Sequence, residues 1–183
     1  GALMEVAERQ GLRLARAPRL TALDDTPAHM ARGGPVQLNP VAIEDLLNRA
    51  QVPLNREGMA RLVQGRRVLV TGAGGTIGSE LARQVAGLGP SELVLLDNGE
   101  FALWRIDLEL AESAPLVPRR AVIADIRDET RIRAVMEQAR PELVFHAAAL
   151  KHVPIVEANP LEGLLTNVAG TRHVAHAARA AGA

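Results

Sequence analysis

The chain contains no cysteine, which excludes a disulfide framework, a thiol nucleophile and a thiolate metal site. It contains no tyrosine either, and Lys151 is its one lysine. A tyrosine–lysine proton relay therefore cannot operate on these residues alone. No apolar run approaches the ~20 residues of a membrane span, and the N-terminus carries no signal-peptide pattern. Basic and acidic side chains balance at 21 each, with a sequence pI of about 7.2. No excess of either sign draws the chain to nucleic acid or to a charged membrane. His173 and His176 stand three apart with no third ligand in the pattern, so no metal site is expected. The default location is cytoplasmic.

What is present suffices for a sizeable core: 183 residues, 48% of them hydrophobic. Residues 1–38 combine a short helical pattern to Gly11, an alternating strand-like LRLARAP at 12–18, and a stretch rich in Pro, Gly, Asp and Thr. They read as the remnant of an upstream domain or as an arm. Residues 39–65 read as a helical linker. Asn39 is the expected N-cap of one helix with Pro40 at its first position, and Asn55 caps a second that Gly65 ends.

From Arg66 to Ala183 short apolar runs alternate with amphipathic ones. RVLVTG (67–72), LVLLD (93–97), RAVIAD (120–125) and LVFHAA (143–148) have the continuous apolar character of strands buried on both faces. Helices are expected over 77–88, 101–112, 129–139 and, as one long alanine-rich helix, 159–182. The pattern predicts an α/β fold: a Rossmann-type parallel sheet of about four strands in the order 3-2-1-4, with helices on both faces.

The turn TGAGGTIG (71–78) joins the first strand to the first helix of this series and carries Gly72, Gly74, Gly75 and Gly78. Gly72 permits the tight turn, Gly75 lets the backbone approach a pyrophosphate, and Gly78 allows close helix–strand contact. The helix beginning near Thr76 aims its free N–H groups and dipole at the phosphates. Asp97 ends the next strand about 20 positions after Gly78, the separation expected of a residue that binds the adenosine ribose. Its carboxylate favours NAD over NADP, although Asn98 beside it could bind either form.

Asp125 ends the third strand at the same sheet edge, where its carboxylate can accept from the adenine amino group with Ile126 against the ring. Asp128 is the better cap for the next helix. After the fourth strand, the small Ala147, Ala148 and Ala149 let backbone pass close to a cofactor, and Lys151 and His152 come next, where a substrate would meet the nicotinamide. His146 reads as a hydrogen-bonded strand-end residue. Asn167 reads equally as a backbone-binding residue that orders the fourth strand or as a solvated helical side chain.

The segments TGAGGTIGSELARQV, LLDNGEFALWRIDLEL, ADIRD and FHAAALKHVPIVEANPLEGLLTNVAGT resemble the extended short-chain dehydrogenase/reductase superfamily. More narrowly they resemble the CapD-like nucleotide-sugar 4,6-dehydratases and epimerases of bacterial polysaccharide biosynthesis. The resemblance covers about residues 35–183. It implies UDP-N-acetyl sugars as substrates of a full-length parent, and a tightly held NAD or NADP that takes hydride from the sugar and returns it. It implies pyrophosphate contacts from Gly72, Gly75, Thr76, Ile77 and Gly78 and a ribose contact from Asp97. It further implies adenine contacts from Asp125 and Ile126, with Ala147, Ala148, Ala149 and Lys151 on the nicotinamide side.

In such proteins the catalytic Tyr- or Met-x-x-x-Lys helix comes after the last helix seen here, so catalytic residues are expected beyond residue 183 and this chain alone is expected to be inactive. The parent is expected to be membrane-anchored through an upstream region. The free fourth-strand edge or the N-terminal arm is expected to drive self-association. An alternative reading is a non-catalytic NAD(P)-binding or redox-sensing module. The KHVP loop after the fourth strand favours the first, because a sensor needs no substrate loop.

Overall fold

The computed structural model describes residues 55–183 and, ahead of them, the two short segments Ala15–Arg16 and Asn39–Pro40. The chain divides into two compact units, residues 1–54 and 55–183. In the first, Ala15–Arg16 pairs antiparallel with Asn39–Pro40. The strand character expected within 12–18 is present there, whereas Asn39 and Pro40 lie in a strand pair and not at a helix start. The residue before a proline is biased to extended backbone, as an N-cap residue also is, so the same local preference serves either role. The helices expected before Gly11 and after Pro40 fall outside the described residues.

The second unit opens with α1 (Arg56–Val63), capped by Asn55, whose Oδ1 accepts the Gly58 N–H at 2.8 Å. Four strands alternate with helices after it: β1 (Arg67–Thr71), α2 (Thr76–Gly87), β2 (Glu92–Asp97), α3 (Glu100–Ser113), β3 (Arg119–Ile123), α4 (Glu129–Ala139) and β4 (Leu143–His146). Asp128 caps α4, its Oδ1 accepting the Arg131 N–H at 2.9 Å. The sheet is wholly parallel in the order β3-β2-β1-β4, the expected 3-2-1-4.

Side chains of period two send alternate residues of each strand to opposite faces. Val68, Val70, Leu93 and Leu95 pack with Ala82, Val85, Leu103 and Ile106 of α2 and α3. Leu69, Val94 and Leu96 pack on the other face with Ile132, Val135 and Met136 of α4 and with Val174 and Ala177 further on. β1 and β2 are thus buried on both sides, which is why they read as unbroken apolar runs.

After β4 the chain departs from expectation. The stretch expected to be a loop contains α5 (Val153–Ala158), with Pro154 in its first turn. The expected long helix is present as one uninterrupted helical run, α6 (Pro160–Gly163), a π-helical segment Leu164–Gly170 and α7 (Thr171–Ala181), and only the wider central winding is unexpected. Two close approaches flank the π-helical segment. A Cβ on Gly163 would lie 2.6 Å from Val156 Cγ1, and one on Gly170 the same distance from Ile126 Cδ1. The wider i→i+5 winding shifts the faces of α7 about the axis relative to those of α6. Apolar periodicity does not register this, because most side chains of the segment are exposed or half-buried.

Candidate functional site

The carboxyl ends of all four strands open on one cavity of about 370 Å³. Its floor is the turn from β1 to α2. Gly72 there has φ +66°, a left-handed conformation suited to glycine. The space a Cβ would need is filled by the Ala148 backbone nitrogen, 2.6 Å away. The turn after β1 and the chain after β4 are therefore interlocked. A Cβ on Gly78 would run into the Gly72 carbonyl, so α2 leaves the turn as close as backbone can pack. α2 starts at Gly75, which offers no side-chain cap, and the first bond onto the turn runs from the Ser79 N–H to the Gly75 carbonyl. The N–H groups of residues 76–78 stand ahead of it at the positive end of the helix, an arrangement that favours an anion.

Asp97 binds the turn from the neighbouring strand. Its Oδ2 accepts the Gly74 N–H and its Oδ1 the Gly99 N–H, both at 2.8 Å. Each oxygen keeps a further lone pair for a ligand hydroxyl. Gly74 has a second reason to lack a side chain: its Cβ would lie 2.6 Å from the Ala102 Cβ of α3.

Asp125, at the end of β3, is held by Arg127. Oδ1 accepts the Arg127 backbone N–H at 2.9 Å, while Oδ2 accepts from Nε at 2.8 Å and Nη2 at 2.6 Å. The Arg127 guanidinium holds the Asp125 carboxyl below the usual carboxylate range. Its remaining arm, Nη1, donates to Glu162 Oε2 on α6 at 2.8 Å.

His146 ends β4, one residue before Ala147 of the cavity lining. Thr71 Oγ1 lies 2.6 Å from Nδ1, and Thr171 Oγ1 lies 3.0 Å from Nε2. The Thr171 hydroxyl proton is already donated to the Asn167 carbonyl at 2.8 Å, so Nε2 carries the hydrogen and Nδ1 accepts from Thr71. Partial desolvation of the ring lowers its pKa, in keeping with this neutral form. His146 is thus a hydrogen-bonded strand-end residue, as its position suggested.

Asn167 binds backbone: its Oδ1 accepts the Leu150 N–H and its Nδ2 donates to the Leu150 carbonyl, both at 2.8 Å. Of its two readings, the backbone-binding one holds, and the π-helical segment carries it.

Of the residues expected at a site, the structure brings Gly72, Gly75, Asp97, Asn98, Asp125, Ile126, Ala147, Ala148 and Ala149 to this cavity. Thr76 and Ile77 line an adjoining depression with Gly75, Arg83 and Arg105. Gly78 lies buried beneath the turn. Lys151 lines an adjoining apolar recess with His152, Ile155 and Val156, which shares Leu150 and Glu162 with the main cavity. Sequence reasoning passed over Ala102, Arg127, Glu162 and Thr166, which also line the main cavity. Arg127 was legible in principle, two residues beyond a strand-end acid. Glu162 was not, because only the fold brings it across.

The family model described as polysaccharide biosynthesis protein matches residues 68–183. The chain belongs to this family. Among curated relatives it is similar to the capsular polysaccharide biosynthesis protein CapD of Staphylococcus aureus, at 43% identity over 146 residues, 78% of this chain and 24% of that protein. It is also similar to the UDP-N-acetylglucosamine 4,6-dehydratase (inverting) of Campylobacter jejuni subsp. jejuni serotype O:2, at 33% identity over 110 residues, 60% of this chain and 31% of that one. Among solved structures, the UDP-glucose-4-epimerase of Stenotrophomonas maltophila with bound NAD and formylated UDP-arabinopyranose superposes with a TM-score of 0.55. It is 31% identical and covers 64% of this chain and 34% of its own. The chain thus spans about a quarter of the length of CapD and a third of the other two. The Rossmann-type architecture on which the cavity is built is shared with that epimerase structure. No helix among the described residues is long and apolar enough to cross a membrane.

Proposed function

We propose that this chain is the dinucleotide-binding part of a nucleotide-sugar 4,6-dehydratase or epimerase of polysaccharide biosynthesis. The observation that carries the reading is the glycine turn interlocked with the backbone after β4 beneath an uncapped helix start. A side chain at Gly72 or Gly78 would force the turn away from the backbone after β4 or from the start of α2, and the cradle depends on both approaches. In this reading the N–H groups at 76–78 bind the pyrophosphate, the Asp97 carboxylate accepts from a ribose hydroxyl, and Asp125 accepts from the adenine amino group. The close-packed Ala147–Ala149 backbone borders the nicotinamide side, with Lys151 beyond it. The bound nicotinamide supplies reversible hydride transfer; the residues here position it and keep its charge compensated. The family and the names of the relatives support a UDP-sugar as substrate of the whole protein. With no tyrosine among the 183 residues, tyrosine-based acid–base chemistry is assigned to residues outside them.

The test is a titration of the 183-residue chain with NADH and NADPH, reading energy transfer from Trp104, the one tryptophan. Trp104 lies on α3, whose Ala102 lines the cavity. Saturable binding below millimolar is expected, NADH the tighter because a carboxylate repels a 2′-phosphate. Asp97→Asn is expected to weaken NADH about tenfold, the effect of replacing a charged acceptor by a neutral one. Absence of binding by either nucleotide below millimolar would refute the proposal.

A further inference from the structure

We propose that Arg127 is a positioning residue that makes the cavity select a 6-aminopurine over a 6-oxopurine, by fixing the Asp125 carboxylate. This rests on the dinucleotide reading above. Asp125 lines the cavity, and three bonds from Arg127 hold it, one to Oδ1 and two to Oδ2. Oδ1 accepts only one of them, so one acceptor lone pair remains, on a carboxylate that cannot turn without breaking a two-point guanidinium contact. Arg127 is itself anchored from across the cavity by Glu162 on α6. The fork therefore sets the carboxylate against a reference outside its own loop.

The chemistry of the two purines makes fixation decisive. Adenine presents an amino N–H at C6, whereas hypoxanthine presents a carbonyl oxygen there and an N–H at the neighbouring N1. A carboxylate held at the C6 position accepts from the first and faces the oxygen of the second. A carboxylate free to swing reaches the N1–H and binds hypoxanthine as well. Discrimination between the purines is thus a property of the carboxylate's immobility, and Arg127 supplies it. The guanidinium also lowers the Asp125 pKa from its ordinary value, which favours the acceptor-only carboxylate further.

The experiment compares NADH with reduced nicotinamide hypoxanthine dinucleotide on the 183-residue chain, by Trp104 energy transfer. The wild-type chain is expected to favour the adenine form by about tenfold or more, the worth of one hydrogen bond to a charged group. In Arg127→Gln the preference is expected to fall to within about threefold, because the hypoxanthine form gains relative to the adenine form. Arg127→Lys restores the charge without the fork and is expected to fall between the two. Glu162→Gln removes only the anchor on α6 and lowers the ratio by less. It serves, with Arg127→Lys, as the measure of the effect should Arg127→Gln not fold. A ratio unchanged in these variants overturns the inference while leaving the dinucleotide reading intact. So does equal weakening of both nucleotides, which marks stacking or general structure. A wild-type chain that binds both equally well also overturns it, and one that binds neither overturns the dinucleotide reading too.

Discussion

At the scale of single residues, the contacts around the cavity combine near neighbours, such as Asp125 with Arg127, and pairs that local sequence does not join. Thr71 is fully buried, and its hydroxyl has His146 Nδ1 as its partner, 75 positions along the chain. Thr71→Val keeps the shape and removes the donor, and it is expected to lower the unfolding free energy by about 1–3 kcal/mol in urea denaturation. The histidine also makes stability depend on pH. Desolvation lowers its folded pKa below the ordinary value of 6.5, so the unfolded chain binds the proton more readily. The contribution is complete above about pH 6.5 and is lost as the pH falls toward the depressed folded value. Urea midpoints measured at falling pH are expected to decline from about pH 6.5 downward, and less so in His146→Asn. His146 could be read as a hydrogen-bonded residue from its place at a strand end. Its partners could not, because neither threonine carries any pattern that marks it.

At the scale of elements, most of what alternation and capping can show was legible. Asn55 and Asp128 cap the helices their sequence context announces. The strands β1 and β2 declared themselves as apolar runs because helices cover both their faces. The region after β4 was less legible for a physical reason. Its side chains are largely exposed or half-buried, so burial imposes no period on it, and the π-helical winding lies between two glycines packed against the Val156 and Ile126 side chains. Two glycines seven apart, Gly163 and Gly170, were the available signal. The clearest consequence of that winding is the Asn167 amide on both backbone groups of Leu150. Asn167→Ala is expected to lose about 1 kcal/mol of stability, since water replaces these exposed bonds in part. Loss of amide-exchange protection at Leu150 is the sharper measurement.

At the scale of the whole molecule, the parallel sheet in the order 3-2-1-4 leaves β3 and β4 as its edges among the described residues. The N-terminal strand pair forms a sheet of its own. β4 is an apolar strand whose Leu143, Val144 and Phe145 are half-buried, and such an edge templates association. Sedimentation of the 183-residue chain at micromolar concentration is expected to show dimers or larger species, and a clean monomer would count against the edge as an interface. The fold class was legible because strand and helix periods alternate without interruption from Arg66 to Ala139. The cavity was half legible: the glycine turn and strand-end acids have fixed spacing, whereas Arg127 and Glu162 meet only through the tertiary fold. The interlock of Gly72 with Ala148 has a consequence for assembly. Loop-closure entropy delays contacts between distant segments relative to local ones. The cradle formed by these two segments is therefore completed only when β4 docks beside β1, late in folding. Under the proposed function, binding of a dinucleotide would report that β4 has docked beside β1.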